Sequence, residues 1–150
     1  MNVASIQSLA DREEIRTLRH RFAHGVDKRD WGLVQSVFVE VVDADLSQIG
    51  GPKGPISRDS LVGLFQHAFR RAEIRTQQIY SGFLVEVAGD EAVCHSYLHG
   101  HHWLQGASGG DVFEIRAEYV DRLIRTSEGW RIAGTTLNVT SVLGNSALVA

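Results

Sequence analysis

The second half of the chain leaves little choice of architecture. Between Thr76 and Val142, four long stretches are separated by three short turns: Gly89-Asp90, Gly106-Ala107-Ser108-Gly109-Gly110 and Ser127-Glu128-Gly129. Thr76–Ala88, Glu91–Leu104, Asp111–Arg125 and Trp130–Val142 read as strands, and turns this short join neighbours that run antiparallel. A sheet of this kind needs a cover for one face, and the first half of the chain supplies helices.

Residues 5–25 predict the first helix. Ile15, Leu18, Phe22 and Val26 recur at spacings of three and four as one apolar stripe, with Arg12, Glu13, Arg16 and Arg19 assigned to the opposite face. Ser8 with Asp11 offers a capping pair and Gly25 a stop. Asp30 is placed to cap a short second helix, Trp31–Phe38, and residues 39–47 read as a strand. Gly50-Gly51-Pro52-Lys53-Gly54-Pro55 reads as a loop. Ser57 caps a third helix to about Ala72, with Leu61, Leu64 or Val62, Phe65 and Phe69 on its apolar face. Helices followed by a meander predict one α+β domain over residues 1–150. A curved antiparallel sheet packs on three N-terminal helices to form a cone, with an internal apolar pocket between the layers.

Composition excludes several classes of function. The 150 residues are 43% hydrophobic and 22% charged, which does not fit disorder. The net charge of -3 and the scattered basic residues leave no stripe for nucleic acid. No apolar run approaches the ~20 residues of a membrane span. The opening Met1-Asn2-Val3-Ala4-Ser5 does not read as a signal peptide, and the single Cys94 fits a reducing compartment, so a cytoplasmic location is expected.

Three groups of residues could carry chemistry. Asp27 follows the apolar stripe at or just beyond the end of the first helix, at the negative end of its dipole. Burial there would raise its pKa toward that of a general base, while the plainer reading makes it a turn residue held by Lys28 or Arg29, with Asp30 capping next door. Alternation on the second long strand puts Val93, His95, Tyr97, His99, His101 and Trp103 on one face and Cys94, Ser96, Leu98, Gly100, His102 and Leu104 on the other. The row His95, His99 and His101 could shuttle protons, line a wet pocket or chelate a metal, and no carboxylate pattern beside it favours the metal. Tyr80, Tyr97, Tyr119, Trp103 and Phe113 could offer polar tips or plain packing, and Asn138 a hydrogen bond to a ligand. Arg125 reads as a solvated strand-end charge and Cys94 as inert packing.

Several stretches are similar to one family. Leu9-Ala10-Asp11-Arg12-Glu13-Glu14-Ile15, Arg21-Phe22-Ala23 and Val26-Asp27-Lys28-Arg29-Asp30-Trp31 resemble the start of the SnoaL-like branch of the nuclear transport factor 2 superfamily. Tyr119-Val120-Asp121-Arg122-Leu123 and Gly129-Trp130-Arg131-Ile132 resemble its end. The branch includes scytalone dehydratase, bile acid 7α-dehydratase and hexachlorocyclohexane dehydrochlorinase. The resemblance implies the cone fold, a homodimer or homotrimer, and removal of water or HCl without cofactor by an Asp–His pair; the flat outer face of the sheet is the expected surface between copies. Its aspartate falls on Asp27. Its histidine position holds Gln78, which cannot exchange a proton near neutral pH, and an aromatic position often tyrosine in relatives holds Phe22.

The expected function is therefore a cofactor-free lyase or isomerase acting on a small, mostly apolar cyclic substrate. Asp27 and His101 would be catalytic, in a pocket lined by Phe22, Trp31, Phe65, Phe69, Gln78, Tyr97, His99, Trp103, Phe113 and Asn138. The alternative is a non-catalytic module that binds a small hydrophobic ligand or serves in assembly.

Overall fold

The first helix begins earlier and ends later than its apolar stripe. In the computed structural model, which describes residues 2–150, α1 runs Val3–Lys28. Asn2 caps it by accepting from the Ser5 N–H at 2.8 Å, so Ser8 and Asp11 lie inside the helix. Gly25 is not a stop. A Cβ there would meet Val34 Cγ2 at 2.6 Å, so the missing side chain lets α2 (Trp31–Gln35) cross close to α1. The helix ends at Arg29, which takes the left-handed conformation at φ 58°. Asp30 caps α2 through the Leu33 N–H at 3.0 Å, as its position predicts. Residues to Phe38 do not continue that helix, because β1 (Phe38–Asp45) starts there.

Lys53–Ser57 forms β2 rather than part of a loop, pairing antiparallel with β1. Pro55 is tolerated because β2 is an edge strand, where a missing N–H costs little. Ser57 caps α3 (Arg58–Ala68), accepting from the Ser60 N–H at 3.2 Å. Then come β3 (Arg75–Ala88), β4 (Glu91–Trp103), β5 (Val112–Thr126) and β6 (Gly129–Gly144), with 3₁₀ turns at Ser47–Ile49 and Ser146–Val149.

The six strands lie in the order β2-β1-β6-β5-β4-β3. The meander β3 to β6 is antiparallel, but β1 joins β6 in parallel. The sheet is therefore mixed, and it is not closed. Three helices cover one face, which gives the expected cone.

The space between layers is occupied by rings and branched chains. Ile15, Leu18, Phe22 and Val26 of α1 are buried against Tyr80, Leu98, Tyr119 and Leu137. Phe22 meets Phe65 edge-on at 5.1 Å and Phe38 at 6.0 Å. Side chains of this kind contribute about 1.5–3 kcal/mol each when fully buried. No helix among the described residues is long and apolar enough to cross a membrane.

Arg19 departs from its expected place. It lies among these apolar side chains, 1% exposed. Its Nε donates to Asp121 at 2.7 Å and an Nη to the Thr135 hydroxyl at 2.8 Å, while the guanidinium lies 3.9 Å from the Tyr119 ring centroid. Arg125 is not merely solvated either. It holds buried Asp11 with hydrogen bonds of 2.7 and 2.9 Å and lies over Trp130 at 4.5 Å. Trp130 in turn donates its indole N–H to Asp11 at 3.0 Å.

Candidate active site

The end of α1 meets the start of β3. Asp27 stands in the last turn of α1 and reaches across the layer. Its Oδ1 accepts from the Thr76 hydroxyl at 2.9 Å and its Oδ2 from the Gln78 backbone N–H at 3.0 Å. Burial pushes its pKa above the ordinary carboxylate value. The hydrogen bonds from Gln78 and Thr76 and the nearby charges of Arg29 and His24 pull the other way. Asp27 lies inside α1 rather than in the turn beyond it and ties helix to sheet, while Arg29 does act on it as a neighbouring charge, as the plainer reading has it.

The histidine that meets this group is His102. On β4 the side chains of Cys94, Ser96, Leu98 and His102 are buried, while His95, Tyr97, His99, His101 and Trp103 turn away from the helices. The alternation is as expected and the choice of face is reversed. His101 therefore does not approach Asp27. It hydrogen-bonds Glu114 at 3.0 Å on the outer face, where His99 lies 3.4 Å from the same carboxylate and His95 bonds Glu118 at 3.1 Å. Tyr97, His99, Trp103 and exposed Asn138 likewise do not line the interior. The physical reason is composition: Cys94, Ser96, Leu98 and Gly100 are small or apolar and fit under helices. Among the described residues no group of three His, Cys, Asp or Glu is arranged to hold a metal ion.

His102 is 2% exposed. Its Nδ1 lies 3.0 Å from the Phe113 carbonyl, which can only accept, so Nδ1 carries the proton. Burial lowers its pKa to about 4, so the ring is neutral and Nε2 is an acceptor. The Gln78 Nε2 lies 3.2 Å from that atom and donates to it. This fixes the direction of the Gln78 amide. Gly100 makes room for it, since a Cβ there would meet Gln78 Oε1 at 3.0 Å.

Phe69 stacks parallel to His102 at 5.5 Å and 7°, and Phe113 packs against the same ring at 5.4 Å and 31°. Phe22, Phe65, Phe69, Gln78 and Phe113 therefore do gather near Asp27 or in the core beside it, with Trp31 packed at the core's edge. Arg29 closes the group. Its guanidinium donates to the Thr76 hydroxyl at 3.0 Å, the Val26 carbonyl at 2.7 Å and the Ile74 carbonyl at 2.9 Å, and lies 5.4 Å from the Phe69 centroid. Cys94 is buried with its thiol pushed up to about 12, so it is not a nucleophile near neutral pH. The sequence names Arg29 only as a charge beside Asp27 and His102 only as a member of the opposite strand face, and it assigns no site role to Gly100 or Thr76. The signal available was that His102 shares a strand face with Cys94, Ser96 and Leu98.

Of the two surface depressions described, one lies away from this group and the other borders it at Thr76. One of about 600 Å³ adjoins Asn2, Ser5 and Leu9, and one of about 330 Å³ lies over Arg75, Thr76, Gln77, His101 and Trp103.

The family model for the SnoaL-like domain matches residues 7–136. No curated protein matches the chain. Solved structures with the same fold include the Kfla4162 protein of Kribbella flavida, 24% identical with a TM-score of 0.85, over 95% of this chain and 98% of that one. A protein of Novosphingobium aromaticivorans described as a candidate aromatic ring hydroxylase is 25% identical, with a TM-score of 0.80 over 95% and 98%. Hexachlorocyclohexane dehydrochlorinase LinA-type3 of Novosphingobium barchaimii is 17% identical, with a TM-score of 0.78 over 94% of each chain.

Proposed function

The chain belongs to the SnoaL-like domain family, and on that premise we propose that it is a cofactor-free lyase or isomerase that moves a proton on a small, mostly apolar cyclic substrate. The observation that carries this reading is the hydrogen-bonded run from Asp27 through Gln78 to His102. Asp27 is the base. Each of its oxygens accepts one hydrogen bond from the protein, which leaves acceptor capacity for a proton. Gln78 is the donor: one amide hydrogen is held by His102, and the other is free for a substrate oxygen.

The chemistry follows from those roles. The Asp27 carboxylate takes a proton from the carbon beside a carbonyl. The C–H bonding pair becomes the C=C bond of an enolate as the carbonyl π pair moves to oxygen, and the Gln78 N–H donates to the charge that develops there. Return of the proton to another carbon gives isomerisation. Expulsion of a β-hydroxyl, which leaves as water with the Asp27 proton, gives dehydration. His102 touches no reacting atom in this scheme; it aims the amide. The dehydrochlorinase name of the LinA-type3 neighbour is in keeping with elimination chemistry.

The test is exchange of α-protons for deuterium in cyclic ketones such as 2-tetralone, followed by NMR in D₂O. The protein is expected to accelerate exchange, and Asp27→Asn to lose about 100-fold of that acceleration. Equal acceleration by the two proteins would overturn the proposal.

A second reading is favoured by the cover over His102. Phe69 lies parallel to the ring and offset from it, with Phe113 packed beside it, and His102 is buried, so a ligand reaches it only where these side chains move. A non-catalytic module holding a small hydrophobic ligand fits such a closed site. Tight binding of cyclic ketones with no accelerated exchange distinguishes it. In either reading we place the contact between copies, a homodimer or homotrimer, on the outer sheet face. Ile79, Leu84 and Tyr97 stand 46%, 59% and 58% exposed there.

A further inference from the structure

We propose that Arg29 is the positioning residue of Asp27, fixing the Thr76 hydroxyl so that its one proton points at the carboxylate. The Thr76 oxygen accepts from the Arg29 guanidinium at 3.0 Å and donates to Asp27 Oδ1 at 2.9 Å. A hydroxyl has a single hydrogen and rotates to suit its partners. With its acceptor side engaged by Arg29, the remaining direction is toward Asp27. The guanidinium is itself clamped by the Val26 and Ile74 carbonyls, so it joins the last turn of α1 to the residue before β3. It also lies over Phe69, the ring that covers His102.

A second observation points the same way. Arg29 is the one non-glycine residue with positive φ among the described residues. Helix ends commonly take this conformation, but with glycine or asparagine, because a Cβ costs about 1–2 kcal/mol there. Backbone strain of this kind persists where the surroundings hold it, and it concentrates at working sites. Here the surroundings are the three hydrogen bonds of the guanidinium together with the backbone bonds from the Arg29 N–H to Val26 and from the Asp30 N–H to Gly25.

The inference rests on the proposed function only for the use made of Asp27; the positioning itself stands without a substrate. The charged and titratable groups facing Asp27 are His24 and Arg29 from the helix end, with His102 of β4 reached through Gln78. Because Thr76 and Arg29 both favour the ionised carboxylate, removing either raises the Asp27 midpoint. The experiment follows the Asp27 carboxyl carbon by NMR titration in the unaltered protein, Arg29→Gly, Arg29→Lys, Thr76→Val and the double variant Arg29→Gly/Thr76→Val. Glycine suits the left-handed backbone, so Arg29→Gly keeps the helix end. Lysine keeps the charge but lacks the fork.

The midpoint is expected to rise in all three single variants, and the double variant to fall short of the sum of its parts. Were Arg29→Gly not to fold, Arg29→Lys and Thr76→Val still decide. An Arg29→Lys midpoint equal to that of the unaltered protein would mean that charge alone matters and would overturn the proposal. So would an Arg29→Gly shift of the same size with and without the Thr76 hydroxyl. Intact coupling with a fully active Asp27→Asn sinks the catalytic reading alone. Lost coupling with an inactive Asp27→Asn sinks the positioning alone.

Discussion

A histidine on a strand faces either the helices or the solvent, and one residue of register separates the two. His101 and His102 are neighbours in sequence with opposite environments, one bonded to exposed-side Glu114 and the other sealed under Phe69. The difference has a measurable consequence. The unfolded chain binds a proton on His102 near pH 6.5, whereas burial holds the folded ring neutral down to about pH 4. Between those values the unfolded state binds more protons, so stability is full above 6.5 and falls as the pH drops, by about 3 kcal/mol in all. Asp27, raised by burial, runs the opposite way, and Asp11, held low by Arg125, acts only below its ordinary 3.8. Urea unfolding between pH 7 and 4.5 should show the loss, and His102→Asn should flatten it. An unchanged slope in the variant would contradict the assignment. Alternation made both histidine sets legible in the sequence. What hid the inward face was the weight given to a row of three imidazoles over the smaller, less polar set.

Elements show the same limit in other forms. Arg19 lies four residues after Ile15 and three before Phe22, inside the apolar stripe rather than opposite it. A charge within a core-facing stripe needs a partner, and Asp121 supplies it from an inward position on β5. Arg19→Met leaves Asp121 buried without its cation and is expected to cost about 3–5 kcal/mol. Arg19→Met/Asp121→Leu should recover most of that loss in urea unfolding; an equal cost in both would mean the pair is not the reason. The caps at Asp30 and Ser57 were readable because a single side chain and a nearby N–H define them. Gly25 was not, because its role depends on Val34 of another helix. β2 escaped notice because its Gly and Pro speak for a loop until an edge position next to β1 makes them harmless.

At the scale of the whole molecule, the cone was legible from texture alone: helices, then a meander with short turns. The parallel pairing of β1 with β6 was not, since it joins Phe38 to Ile132 and no local turn records it. That pairing extends the sheet beyond the four-strand meander. The outer face then carries exposed apolar side chains on β3 and β4 beside the His–Glu pairs. If copies meet there, the protein sediments as a dimer or trimer, and Tyr97→Glu shifts it toward monomer while leaving its circular dichroism unchanged. A monomer at all concentrations would remove the outer face as a contact between copies.

Which atom of His102 carries the proton decides whether Gln78 turns its amide donors or its carbonyl oxygen toward the ring. Long-range ¹H–¹⁵N correlation of the imidazole at pH 7 reads it directly. The arrangement described here predicts a neutral ring with Nδ1 protonated and Nε2 bare. A proton on Nε2, alone or in an imidazolium, would contradict it and with it the donor role of Gln78.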